Sequence, residues 1–244
     1  ILDNFCWGNC EDPRTMGALV RACQACYDAA TAYGTPFISG KDSLNNEFAL
    51  DAADAERLAD RVPLHNKRIR IPETLLISAI GIIEDVKSCV TMDAKPIAGS
   101  RLVFVGLEAA SWPEVDLRQA AALHRKVAEL IRDGAVLAAH DCGEEGVLVA
   151  LGEMAFAGLC GVEAVFGEPG PLVAIPCGYV LQVKADRAEA VEAVSRLAGV
   201  RAVPIGRVTT DQKLIWRESD APDAEWLELD VKQLSDAWRS PLNW

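Results

Sequence analysis

The run Val147-Leu148-Val149-Ala150-Leu151-Gly152-Glu153-Met154-Ala155-Phe156-Ala157-Gly158 is apolar on nearly every helical face. A helix without a polar side cannot lie on a surface, so the segment predicts a buried helix over 145–157 enclosed by other elements of a packed domain. Immediately before it stands His140-Asp141-Cys142-Gly143-Glu144-Glu145-Gly146. The unpaired N–H groups of the first helical turn face this stretch and favour anions. Asp141, Glu144 and Glu145 would repel a bare phosphate, which predicts a divalent cation between carboxylates and phosphate. The competing reading is an acidic first turn that satisfies the helix dipole.

A second segment concentrates polar chemistry: Ile38-Ser39-Gly40-Lys41-Asp42-Ser43-Leu44-Asn45-Asn46-Glu47. Upstream, a helix ends at Gly34 and the residues around Pro36 run extended, so the segment is read as a strand over 36–40 followed by a ligand loop. Gly40 lets backbone approach a ligand, and the donors and carboxylates after it point to a phosphorylated one. A P-loop is excluded. Gly34 lies one residue too far from Gly40-Lys41, and Asp42 stands where the motif requires Ser or Thr. A polar turn between strands is the plainer alternative.

Around these segments the pattern predicts helices over 13–33 (Asp12 as N-cap, Pro13 at N1), 51–61, 117–133 and 186–198. Strands are predicted over 73–83, 101–106, 136–140, 161–166, 178–183, 202–208 and 213–217, with 63–70 as a basic connector. Residues 95–100 mark a boundary, giving domains 1–98 and 99–217 and a tail, 218–244. That tail carries a short helix at 230–238, with Trp226, Trp238 and Trp244 packed on the body. Strands adjacent in pairs indicate an α+β fold rather than a regular βαβ array.

Composition narrows the function classes. The 244 residues carry 36 acidic and 24 basic side chains, a formal charge of −12, which argues against nucleic acid as a partner. No apolar stretch reaches the length of a membrane span and no signal peptide opens the chain. Cys23-x-x-Cys26 falls on the apolar stripe of the 13–33 helix and is read as core, and no second pair completes a zinc site. The neighbours His140, Asp141 and Cys142 lack the spacing of a nucleophilic triad. His124 is read as a packed surface residue and His65 as part of the connector; His140 is expected to orient the acidic loop.

Asp3-Asn4-Phe5-Cys6-Trp7, Glu11-Asp12-Pro13, Gly34-Thr35-Pro36, the segment 38–47, Ile80-Gly81-Ile82-Ile83-Glu84-Asp85-Val86, Ala138-Ala139-His140-Asp141 and Gly152 to Gly158 occur in the order found in one family. Through them the chain resembles the phosphoribosylformylglycinamidine synthases of purine biosynthesis, over the final third or so of the synthetase polypeptide. The resemblance implies the C-terminal part of an aminoimidazole-ribonucleotide-synthetase-like N-domain followed by a complete C-domain of that kind. It implies a cytoplasmic, ATP-dependent ligase that phosphorylates the amide oxygen of formylglycinamide ribonucleotide and lets ammonia displace phosphate. ATP/ADP and Mg²⁺ are the implied cofactors. The implied partners are a glutaminase, a small bridging subunit and the rest of the synthetase chain.

By position, Asp3 and Gly40 match ATP contacts and Ser43 a substrate contact. Lys41 replaces a metal-binding Asn of the smaller members; an ammonium has no lone pair for a metal, so Lys41 is assigned to ATP phosphate. Asp141 matches a metal ligand of a second, structural nucleotide site, where Gly143 replaces a Ser. At 176–179 the chain has Pro-Cys-Gly-Tyr in place of an acidic stretch of relatives. The family's essential histidine matches no residue here, so no catalytic residue is assigned. Two alternatives remain: a scaffold half with a decayed nucleotide site, and a sister enzyme such as aminoimidazole ribonucleotide synthetase.

Overall fold

The computed structural model describes residues 1–97, 99–108, 115–167, 174–175 and 177–242. Two compact units divide the chain, Ile1–Ile82 and Ile83–Trp244.

In the first unit, β1 (Leu2–Cys6) leads to α1 (Pro13–Tyr33) and then to β2 (Ser39–Ser43), which lies parallel to β1. Asp12 caps α1 by accepting from the Arg14 N–H, and Gly34 ends it at φ 70°, a left-handed conformation that glycine adopts without cost. Next come β3 (Glu47–Ala49), α2 (Ala52–Leu58), β4 (Leu64–His65), β5 (Arg68–Arg70) and β6 (Thr74–Ser78). The main sheet has the order β2-β1-β6, and β3-β5-β4 form a separate antiparallel sheet.

Three expectations change here. The predicted strand over 36–40 begins at Ser39 and continues to Ser43, because Gly40 through Ser43 pair with Asp3 through Cys6. The predicted connector 63–70 is a hairpin. Asn66 and Lys67, at φ 51° and 59°, supply the two positive φ values of a type I′ turn without any glycine to announce it. The apolar stripe of α1 is not covered within the unit: Val20 and Tyr27 are 60% and 67% exposed and Thr15 is the buried residue of the helix. Cys23 is accordingly exposed and Cys26 half-buried, not core.

The second unit contains β7 (Arg101–Leu107), α3 (Leu117–Arg132), β8 (Val136–Cys142), α4 (Gly146–Gly158), β9 (Gly161–Val165), β10 (Gly178–Val183), α5 (Ala188–Glu192), β11 (Val200–Thr209), β12 (Lys213–Arg217), β13 (Trp226–Asp230) and α6 (Val231–Arg239). Seven strands form one sheet, β13-β12-β9-β11-β7-β10-β8, antiparallel except between β9 and β12. This mixture of helices with a mainly antiparallel sheet is the expected α+β fold. The apolar helix α4 packs on β8, β9, β10 and β12 and against α6, with Leu151, Met154 and Ala155 fully buried.

Residues before β7 are tied into this unit. The Ala94 N–H donates to the Met154 carbonyl at 3.0 Å. A Cβ on Gly158 would fall 2.7 Å from the Ala94 nitrogen, so only glycine lets the segment cross the end of α4. Gln182, wholly buried on β10, accepts from the Lys95 N–H at 2.7 Å and donates to the Lys95 carbonyl (2.7 Å) and Ser100 hydroxyl (2.8 Å). Every polar group of that buried amide's clamp is thereby satisfied.

Two expectations differ in this unit as well. The helix predicted over 186–198 is short α5 flanked by 3₁₀ turns. The tail, expected to carry only a short helix, also holds a strand, since β13 pairs with β12 ahead of α6, which is capped by Asp230. Trp226 falls on the solvent face of this edge strand and is 63% exposed. Trp238 stacks on Phe156 at 5.7 Å between ring centroids yet remains 57% exposed. Trp244 lies outside the described residues, as does Pro176.

Candidate functional site

The pairing of β1 with β2 sets the geometry of the first site. Asp3 is the register partner of Gly40, Asn4 of Lys41 and Cys6 of Ser43. A Cβ at Gly40 would lie 2.6 Å from the Asp3 Cγ, so the Asp3 carboxylate lies across the Gly40 backbone in the space a side chain would take. Lys41 and Ser43, two residues apart, share the other face, and the Lys41 ammonium donates to the Ser43 hydroxyl oxygen. That bond leaves the Ser43 hydroxyl proton free to donate elsewhere. The four predicted residues thus form two pairs on opposite faces of the β1–β2 ladder, and among the described residues the outer backbone groups of the edge strand β2 have no strand partner.

The turn after β2 is fastened to the one after β1. Trp7 N–H donates to the Ser43 carbonyl (2.8 Å), Asn45 N–H to Gly8 (3.0 Å) and Asn46 N–H to Trp7 (2.9 Å). The Asn45 side chain accepts from Cys10 N–H, and the Asn46 amide donates to the Ser43 carbonyl. Both asparagines, read from the sequence as ligand donors, build the turn instead, with Asn45 at φ 60°. Sequence reasoning missed Arg70. Its Nε lies 2.6 Å from Glu47 Oε1 and its Nη1 2.8 Å from Asp12 Oδ2. Hydrogen bonding to Arg70 and to the Arg14 N–H holds the Asp12 carboxyl down at about 2. A polar cleft of about 320 Å³ adjoins this network, lined by Asn9, Glu11, Asn45, Glu47, Asn66, Arg68 and Arg70.

The second predicted site is in the other unit. His140, Asp141 and Cys142 are the last residues of β8, not a loop. His140 does orient its neighbours: Nδ1 is 3.3 Å from Asp141 Oδ1 and Nε2 is 2.7 Å from Glu153 Oε2 on α4. The Asp141 side chain is 81% exposed. Among the described residues no three His, Cys, Asp or Glu side chains gather as a metal site, so Asp141, Glu144 and Glu145 do not converge. Asp141 offers one carboxylate, which suits Mg²⁺ held mainly by water and phosphate. Burial pushes the Cys142 thiol up to about 12, the state of an inert core thiol. All eight cysteines are unpaired. His124 is half-buried, its Nδ1 2.6 Å from the Tyr179 hydroxyl, and burial lowers its pKa.

Among the described residues no helix is long and apolar enough to cross a membrane. Residues 97–217 match the family described as AIR synthase related protein, C-terminal domain. Over 94% of its length the chain is 29% identical to phosphoribosylformylglycinamidine synthase subunit PurL of Thermomicrobium roseum, covering 32% of that protein. With the same subunit of Rhodospirillum rubrum the identity is 31% over 88% of this chain and 30% of the relative. The chain therefore spans about a third of the length of the curated relatives it matches. Among solved structures, Thermotoga maritima PurL complexed with ATP superposes with TM-score 0.63 at 13% identity, over 96% of this chain and 37% of that one. HypE of E. coli, a hydrogenase maturation protein, gives 0.61 at 18% identity over 94% of this chain and 72% of its own. At such identities the likeness is one of fold. Residues 97–217 thus match the AIR synthase related protein C-terminal domain, and the chain as a whole is similar to a portion of the phosphoribosylformylglycinamidine synthase subunit PurL.

Proposed function

We propose that this chain works as part of a phosphoribosylformylglycinamidine synthase, contributing its β1–β2 edge to an ATP and substrate site completed by the rest of the synthetase. The observation that carries the reading is the Asp3–Gly40 pair, in which a carboxylate occupies the space of a missing side chain beside an open strand edge. Gly40 makes room for the Asp3 carboxylate at the nucleotide edge, Lys41 places a point charge on phosphate, and the Ser43 hydroxyl donates to a substrate acceptor. In the reaction the amide oxygen of formylglycinamide ribonucleotide attacks the γ-phosphorus and ADP leaves. Ammonia then adds to the activated carbon and phosphate departs, giving formylglycinamidine ribonucleotide. Fixed positions for these groups are what such a transfer requires.

At the second site Asp141 would hold Mg²⁺ by one carboxylate, and the ion would neutralise nucleotide phosphate. Partners under this reading are a glutaminase, a small bridging subunit and the remaining synthetase polypeptide, in the cytoplasm. Thermotoga maritima PurL has been solved with FGAR and as PurLQS, which supports the substrate and the assembly. The test is ADP release by the complete polypeptide that depends on both formylglycinamide ribonucleotide and ammonia. Ser43→Ala should lower kcat/KM by roughly 1–3 kcal/mol, the cost of an unmet polar partner. A Ser43→Ala enzyme with unchanged kcat/KM removes Ser43 from the site.

The exposure of Asp141 and the scattered carboxylates around it favour a second reading for that site alone, a scaffold without nucleotide. If Mg-ADP raises the melting temperature of Asp141→Asn as much as that of the parent, the scaffold reading holds there.

A further inference from the structure

Arg70 ends β5 and belongs to neither strand of the proposed ligand edge, yet it bonds to a residue beyond the end of each. Glu47, its register partner, stands just past the turn at the end of β2; its side chain is only 6% exposed and lies 2.6 Å from Arg70 Nε. Asp12, past the turn at the end of β1, meets Arg70 Nη1 at 2.8 Å. The arginine stem runs over Gly8, where an added Cβ would sit 3.6 Å from Arg70 Cδ. One planar fork thus holds two carboxylates, one from the segment after β1 and one from the segment after β2.

We propose that Arg70 is a positioning residue that fixes the turn at residues 43–47, and through it the reach of Lys41 and Ser43 toward a phosphorylated ligand. This rests on the synthetase reading above. A partly buried ion network is a weak source of stability, because desolvation offsets the attraction, but it holds geometry. The α1 cap does not need Arg70, since Asp12 Oδ1 accepts from the Arg14 N–H at 2.8 Å on its own. Removing Arg70 therefore releases the tether at Glu47, the C-terminal end of the turn, while leaving the helix start and the turn's main-chain bonds in place. Lysine is no substitute: a single ammonium on a flexible stem lacks the fork that meets both carboxylates.

The experiment compares Arg70→Gln and Arg70→Lys in the complete synthetase with Gly158→Ala, a destabilising change in the other unit. The readouts are kcat and KM with formylglycinamide ribonucleotide, ATP and ammonia, together with the melting temperature. Both Arg70 variants should lose about 10- to 100-fold in kcat/KM, the scale of a misplaced reacting group. Their melting temperatures should fall no further than that of Gly158→Ala, which keeps its kcat/KM. If Arg70→Lys matches the parent, or the Arg70 variants lose no more kcat/KM than Gly158→Ala, the inference is overturned. A parent enzyme that releases no ADP in response to formylglycinamide ribonucleotide and ammonia overturns the functional reading and this inference with it.

Discussion

Gly40→Ala separates a steric role from a catalytic one. The new Cβ would lie 2.6 Å from both Cγ and Oδ2 of Asp3, whereas carbon atoms pack at about 3.5–4.0 Å, so the carboxylate must retreat by about 1 Å. Overpacking costs about 1–3 kcal/mol, at the low end where the obstructed atoms end a movable side chain. Replacing glycine within a strand returns about 0.5–1 kcal/mol. Stability should change little, by no more than about 1–2 kcal/mol or a few degrees in melting temperature. If Asp3 stands beside nucleotide as proposed, activity should not be spared, because a group about 1 Å out of place costs up to about 100-fold. The assay is steady-state ADP release by the complete synthetase, with ATP varied at saturating formylglycinamide ribonucleotide, beside thermal unfolding. The double variant Asp3→Ala/Gly40→Ala removes the collision and should unfold like the parent while staying impaired. An unchanged kcat/KM for ATP in Gly40→Ala would refute the claim that Asp3 and Gly40 act together at a nucleotide.

Three further outcomes are expected. Gly158→Ala should lower the melting temperature, since the Cβ meets the Ala94 backbone and disrupts its bond to Met154 at a cost of about 1–3 kcal/mol; a rise, as helix propensity alone predicts, would contradict this. Asp12 is held at about 2 against an ordinary 3.8, so its contribution is present above that ordinary value and is lost as pH falls through the folded value. The melting-temperature gap between the parent and Asp12→Asn should therefore close as acid is added between about pH 4 and 2, and a constant gap would refute the ion pair. With iodoacetamide at about pH 8, peptide mapping of this chain should find exposed Cys23 and Cys89 modified well before Cys142, which is buried with its thiol near 12. Early labelling of Cys142 would contradict its place in the core.

What could be read from the sequence depended on how local the cause was. The α4 segment declared itself, because a helix apolar on every face has one solution, and the Asp12 and Gly34 caps of α1 act within a few residues. Pairing across the chain was invisible. Lys41 through Ser43 read as a loop because their side chains are polar, but their main chain is held by β1, and polar residues tolerate an edge strand. Asp3, Gly40, Lys41 and Ser43 lie on one pair of strands, but their division into two faces was missed, as a period of two has no meaning in a loop. Asn45 and Asn46 look like ligand donors when read singly; they are turn residues because Gly8, Cys10 and Trp7, over thirty positions upstream, take their bonds. Arg70 carries no local signal at all, since its partners stand 58 and 23 residues away. The acidic stretch failed in the opposite direction. Three carboxylates within five residues suggested one cation, but among the described residues they do not gather into a metal site, and His140 engages Glu153 from the helix instead. Adjacency in sequence brings charges together only when the backbone turns them toward one point, which an extended strand running into a helix does not do.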